Sequence, residues 1–179
     1  MNFSTFGPFP FGEFSKDGLK KFWLQVNQEL ERLGYSTGIE KAIGVYIVTS
    51  IRKNGALLPC YVGKTDNSFG IRFSQHRKRF ASLFPESSGK VGVFLIARVT
   101  GTGKYKKVTD KMRESKGLKS IDRLEFALIG ECLKRNQNLI NLRERTFHKS
   151  LHVPGFANSA RKKWDDAARQ LAGMLRVRN

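Results

Sequence analysis

The sequence predicts an α+β (α/β) domain: a small, mainly antiparallel three-stranded sheet flanked by helices, with helical extensions at both ends. Three observations carry that prediction. Between residues 43 and 135 the apolar pattern runs strand, strand, helix, strand, helix. Asn54-Gly55 stands between the first two strand-like runs, a strong short-range signal for an antiparallel hairpin. The chain has 179 residues, of which 40% are apolar and 11% aromatic. That is enough for one packed core with decorations.

The elements follow in order. The first fourteen residues, MNFSTFGPFPFGEF, interleave Phe with Gly and Pro and predict an irregular arm pinned by aromatic rings. Asp17 offers a helix N-cap, and Leu19, Phe22, Trp23, Val26, Leu30 and Leu33 recur at helical spacing until Gly34. Residues 1–42 thus read as arm plus amphipathic helix. A strand over Ile43–Val48, a turn at 53–55 and a second strand over Cys60–Gly63 form the hairpin. A short basic helix over 71–84 buries Phe73, Phe80 and Phe84, and Val91–Val99 is apolar enough for a buried strand. Residues 100–120 are a polar basic insertion, and Ile121–Arg135 is helical. The core ends near 145, and 146–179 is a basic extension whose helix, 158–176, carries Ala160, Trp164, Leu171 and Leu175 on one stripe.

Charge narrows the partners. Lys and Arg total 33 against 15 Asp and Glu, a net charge of +18. Residues 1–43 are neutral, with five charges of each sign, so the whole excess lies beyond them. Such a field favours phosphate backbones through counterion release and steered encounter. Arg77, Lys78, Arg79, Lys104, Lys106, Lys107, Arg161, Lys162 and Lys163 are the candidate contacts. No apolar run approaches the roughly 20 residues of a membrane span, no signal-peptide pattern opens the chain, and Cys60 and Cys132 read as reduced thiols. The expectation is a cytoplasmic protein.

Chemistry concentrates in the hairpin and the two helices after it. With an Asn-Gly turn, opposed residue numbers sum to 109, or 107 after a shift of two. Either register turns Tyr46 and Tyr61 to one face beside Gly44 and Gly63, making a notch with two hydroxyls; Tyr is also an ordinary strand residue. Arg72 and His76, one helical turn apart, lie along the margin of the Phe stripe, suited to anion binding and proton handling. Glu125 falls near the middle of an apolar arc formed by Ile121, Leu124, Leu128, Ile129, Cys132 and Leu133. A carboxylate there is costly unless it is paired, for instance with Arg72, or bound to a cation. His148 and His152 are spaced for zinc, but no further ligand accompanies them, and HKSLH reads as a surface segment.

Gly44-Val45-Tyr46, Tyr61-Val62-Gly63-Lys64-Thr65, Asn67, Arg72-x-x-x-His76, a helical Glu125 and Leu139-Ile140-Asn141 resemble, in that order, the GIY-YIG nuclease family. Val replaces Ile in both tripeptides, and fourteen residues separate Tyr46 from Tyr61. The resemblance implies a metal-dependent endonuclease acting on duplex DNA. Glu125 would hold Mg²⁺ or Mn²⁺, Arg72 would clamp the scissile phosphate, and Asn141 would brace the site. Tyr46 would be the general base and Tyr61 its hydrogen-bond partner, the reverse remaining open. A free phenol has a pKa of about 10, so Lys64 and His76 would help it ionise. Cutting both strands would call for two sites, as in a homodimer. The rival reading is a DNA- or RNA-binding module on the same fold with catalysis lost.

Overall fold

The structure, a computed structural model, describes residues 2–84, 90–107 and 118–141 and the separate positions 166, 167 and 170. The C-terminal helix expected over 158–176, with Arg161, Lys162 and Lys163, the His148/His152 pair, and most of the basic insertion lie outside the described residues. The chain divides into two compact units, Met1–Leu139 and Ile140–Asn179.

The described residues of the first unit form an α+β fold with a four-stranded, wholly antiparallel sheet and three α-helices. Along the chain run β1 (Asn2–Phe11), α1 (Lys16–Arg32), a 3-10 turn (Ile39–Lys41), β2 (Gly44–Ile51), β3 (Leu57–Thr65), α2 (Phe69–Leu83), β4 (Val91–Val99) and α3 (Lys119–Arg135). The sheet order is β1-β4-β2-β3. The expectation of three strands is corrected by one: the Phe-rich arm is not irregular but forms β1 beside β4.

The arm hides its strand character because its Phe residues do not alternate. Phe6 opposes Leu95 and Phe9 opposes Val93, with the register shift between them falling at Gly7-Pro8. Two residues set three apart would leave a regular strand on opposite faces. The bulge restores both to the core side, and both are buried. Gly7 permits it: φ is +106°, and a Cβ there would lie 2.6 Å from the Val93 carbonyl oxygen.

The sheet is covered on both faces. Directly opposed residues share a face, which groups Phe6, Phe9 and Phe11 with Leu95, Tyr46 and Gly63. α1 and α2 cover that side, where Phe11, Phe22 and Phe73 pack ring to ring. The other face presents Val45, Ile47, Val62 and Ile96 to Ile121, Ile129 and Cys132 of α3. On α1, Leu19, Phe22, Val26 and Leu30 are buried as the periodicity predicts. Leu33 is not; it is the C-cap residue and 53% exposed. The N-cap is Ser15, whose side chain accepts from the Gly18 N–H, rather than Asp17.

A three-residue loop, Lys53-Asn54-Gly55, closes the hairpin, with Arg52 N–H donating to Ala56 O and Gly55 at φ +77°. This loop sets opposed numbers at 108, seen at Ser50/Leu58. A bulge at Cys60 then moves the sum to 109 for Val48/Tyr61, Tyr46/Gly63 and Gly44/Thr65. Were the 108 register continued through Cys60 without a bulge, Tyr61 would oppose Ile47 and turn to the α3 side.

Candidate active site

The predicted notch forms on the face shared with α2. Tyr46 is wholly buried on central strand β2, and Tyr61 is 6% exposed on edge strand β3, with ring centroids 6.0 Å apart. Gly63 is what lets Tyr46 lie down there. A Cβ at 63 would sit 2.5 Å from Tyr46 Cζ and Oη and 2.8 Å from Tyr61 Cε1. Gly44 serves a different need, because a Cβ there would collide with the Ile96 carbonyl across β4.

α2 supplies the wall and the charges. Its N-cap, Ser68, accepts from the Ile71 N–H at 3.2 Å. Thr65, at the end of β3, ties the two elements together by donating to the Ser68 carbonyl (2.9 Å) and accepting from the Asn67 N–H (3.2 Å). Phe73 and Phe80 are fully buried, 4.8 and 6.3 Å from the Tyr46 centroid, while Phe84 is only partly covered. Arg72 and His76 are half-buried on the same helix. Three buried polar atoms here, Tyr46 Oη, Arg72 Nε and His76 Nδ1, have no hydrogen-bond partner among the described residues. Leaving such atoms unpaired costs about 1–3 kcal/mol each.

The electrostatics separate the two phenols. Burial drives the Tyr46 hydroxyl far above its ordinary range; the nearby Tyr61 phenol adds to this, and the Arg72 guanidinium offsets only part. Burial also raises Tyr61, but Arg79 and Arg72 both pull it back, against a push from Glu125. His76 is held below its usual value by burial and by Arg72 and Arg79, and so is neutral at pH 7.

Glu125 reaches the site from the other side of the sheet. It stands on α3, which packs on the opposite face, and it is within electrostatic range of both Tyr61 and Lys64 on edge strand β3. It is half-buried rather than sunk in the apolar arc. Ile121, Ile129 and Cys132 take the fully buried positions, and they bracket Glu125 around the helix axis.

Lys64 does not join the phenols. It opposes Val45 and therefore lies on the α3 face, paired with Asp122 and, at 3.8 Å, with Asp66. Burial pulls its pKa down, but Asp122, Asp66 and Glu125 outweigh that and hold it above the usual lysine value. Asn141 belongs to the second compact unit. Arg77 is half-buried, and Lys78, Lys104, Lys106 and Lys107 are exposed. The last three follow a tight turn after β4, in which Thr100 N–H donates to Lys104 O and Gly103 takes φ +77°.

Arg79, expected from the sequence as a nucleic-acid contact, lays its guanidinium carbon 5.5 Å from the Tyr61 ring centroid. The signal was its spacing: 72, 76 and 79 follow the i, i+4, i+7 pattern of one helical stripe. Thr65 belongs to the Tyr61–Thr65 motif, but its tie between β3 and α2 depends on the turn at 65–68 and has no periodic signal in the sequence.

Among the described residues no group of three or more His, Cys, Asp or Glu is arranged to hold a metal ion. No helix among them is long and apolar enough to cross a membrane. No family model, curated protein or solved structure matches this chain.

Proposed function

We propose that this protein is a metal-dependent DNA endonuclease of GIY-YIG type, hydrolysing phosphodiester bonds at the Tyr46/Tyr61 notch. The observation that carries the reading is the trio of buried atoms without a hydrogen-bond partner among the described residues, Tyr46 Oη, Arg72 Nε and His76 Nδ1, at a notch whose Tyr61 lies within electrostatic range of the Glu125 carboxylate. Donors held in a water-poor corner are suited to a phosphate oxygen, whose charge they stabilise more strongly than bulk water does. The +18 net charge supplies attraction to the polyanion.

Arg72 clamps the scissile phosphate, and neutral His76 orients a proton or a water next to it. Tyr61, rather than Tyr46, is the better general base: burial holds both phenols above the ordinary value, but at Tyr61 two guanidiniums offset part of that rise, whereas Tyr46 is deeper and its phenol is strongly held protonated. Tyr46 then serves as the hydrogen-bonding partner. The donor chemistry fits a hard cation held by one carboxylate, with water and phosphate completing its shell. Glu125 is the residue that would hold Mg²⁺ or Mn²⁺, and when bound the ion supplies Lewis-acid stabilisation of the developing charge.

The test is nicking of supercoiled plasmid with Mg²⁺ by wild type, Glu125→Ala and Arg72→Ala. Wild type cuts, and each variant loses at least about 100-fold, the scale of one lost electrostatic contact in a transition state. Equal cutting by wild type and Glu125→Ala overturns the metal assignment. One observation favours the binding-module reading instead: Lys64, the cation expected to assist a tyrosine, is engaged by Asp66 and Asp122. On that reading, wild type binds duplex DNA but does not nick it.

A further inference from the structure

The stripe formed by Arg72, His76 and Arg79 continues past the residues the nuclease reading uses. Arg79 is exposed as a residue, yet its guanidinium is not free in solvent: it lies over the Tyr61 ring. Tyr61 is on the edge strand of the sheet, where no further strand among the described residues covers its outer side, and still only 6% of it is exposed. Phe80 packs against that ring at 5.6 Å and Tyr46 at 6.0 Å, both from within the fold.

We propose that Arg79 is a positioning residue of this site: its guanidinium caps the phenol notch and supplies, with Arg72, the second cation that Tyr61 needs to act as a base. Guanidinium stacked on an aromatic face restricts the ring through the quadrupole attraction while its charge favours the anionic phenol. The charged and titratable groups that reach Tyr61 are Tyr46 from β2, Arg72 and Arg79 from α2, and Glu125 from α3. Tyr46 is held protonated, and Glu125 opposes ionisation. The two arginines are therefore the groups that favour the phenolate, and Arg79 alone of them touches the ring face.

The proposal rests on the nuclease reading for its kinetic consequence but not for its physical content, and the experiment separates the two. The protein is labelled with ¹³Cζ-tyrosine, the Tyr61 signal is assigned with Tyr61→Phe, and its deprotonation is followed by NMR without DNA or metal. Arg79→Leu shifts Tyr61 deprotonation to higher pH, Arg79→Lys gives an intermediate result, and Lys78→Leu, which removes a charge from the same helix without a ring contact, leaves Tyr61 where it was. In nicking assays Arg79→Leu lowers kcat about two- to fivefold, the scale of an exposed cation–π contact. It also moves the pH profile of kcat in the same direction as the titration. A Tyr61 titration unmoved by Arg79→Leu, or moved equally by Lys78→Leu, overturns the proposal, even if DNA binding weakens. If wild type itself does not cut DNA, the nuclease reading fails and the titration alone decides the role of Arg79.

Discussion

Substituting Gly63 by Ala adds one methyl group at the floor of the notch, and the structure fixes what that methyl meets. Its carbon would lie 2.5 Å from Tyr46 Cζ and Oη, whereas ordinary contact begins near 3.4 Å, so the Tyr46 ring must retreat by about 0.9 Å. It has little room to do so. Tyr46 is fully buried, Phe73 stands 4.8 Å away and Phe80 6.3 Å away, and Tyr61 Cε1 is itself only 2.8 Å from the new carbon. Overpacking of this kind costs about 1–3 kcal/mol, offset by about 0.4–1 kcal/mol from stiffening the unfolded chain. A net loss of about 1–2 kcal/mol lowers Tm by about 2–8 °C for a chain of this size. Activity falls further than stability, because a displacement near 1 Å at reacting groups costs about 100-fold. Urea and thermal melts measure the first, plasmid nicking the second. Tyr46→Phe in the Gly63→Ala background recovers part of the stability, since it removes one of the two clashing atoms. A Gly63→Ala protein as stable and as active as wild type would refute the claim that this glycine exists to seat the tyrosine.

Two further outcomes follow from the burial of the aromatic face. Phe11→Ala, at a fully buried ring 4.2 Å from Phe14 and 4.5 Å from Phe22, costs about 3–5 kcal/mol in urea melts; a loss below 1 kcal/mol would mean that β1 is not part of the packed sheet. Tyr46→Phe stays within about 1 kcal/mol of wild type at pH 7, because the buried hydroxyl it removes makes no well-formed hydrogen bond among the described residues. Since folded Tyr46 keeps its proton well above the unfolded value of about 10, wild type loses stability as pH rises past that value, and Tyr46→Phe loses less between pH 9 and 11. Melts of the two proteins that fall in parallel over this range would contradict the assigned burial.

Much of the site was legible because its signals are local. The Tyr/Gly pairs on a hairpin and the Arg72/His76 step on a helix depend only on period and turn chemistry, and β4 matches its expected bounds, Val91–Val99. What stayed hidden depends on placement in three dimensions. The arm at residues 2–11 conceals its strand because a Gly-Pro bulge breaks the alternation by which strands are recognised. The hairpin register came out at 109 near the tyrosines for a reason the turn does not contain: the loop gives 108, and Cys60 adds the missing step. Glu125 was expected at the centre of a buried arc, and the buried Ile121, Ile129 and Cys132 do bracket it around α3, but a helical wheel carries no information on what covers each position along the axis, and Glu125 is only half-buried. Lys64 was expected beside the tyrosines on the strength of its adjacency to Gly63, although neighbouring residues of a strand face opposite ways.

The spare residue at Cys60 also governs where this chain tolerates a change of length. A single deletion between Ala56 and Cys60 can be absorbed by closing the bulge, after which the strand remains in phase and Tyr61 keeps its side of the sheet. A deletion between Tyr61 and Thr65 has no such slack and would transpose inner and outer side chains downstream. The hairpin tip is thus free to drift in length while the motif beneath it stays locked in step.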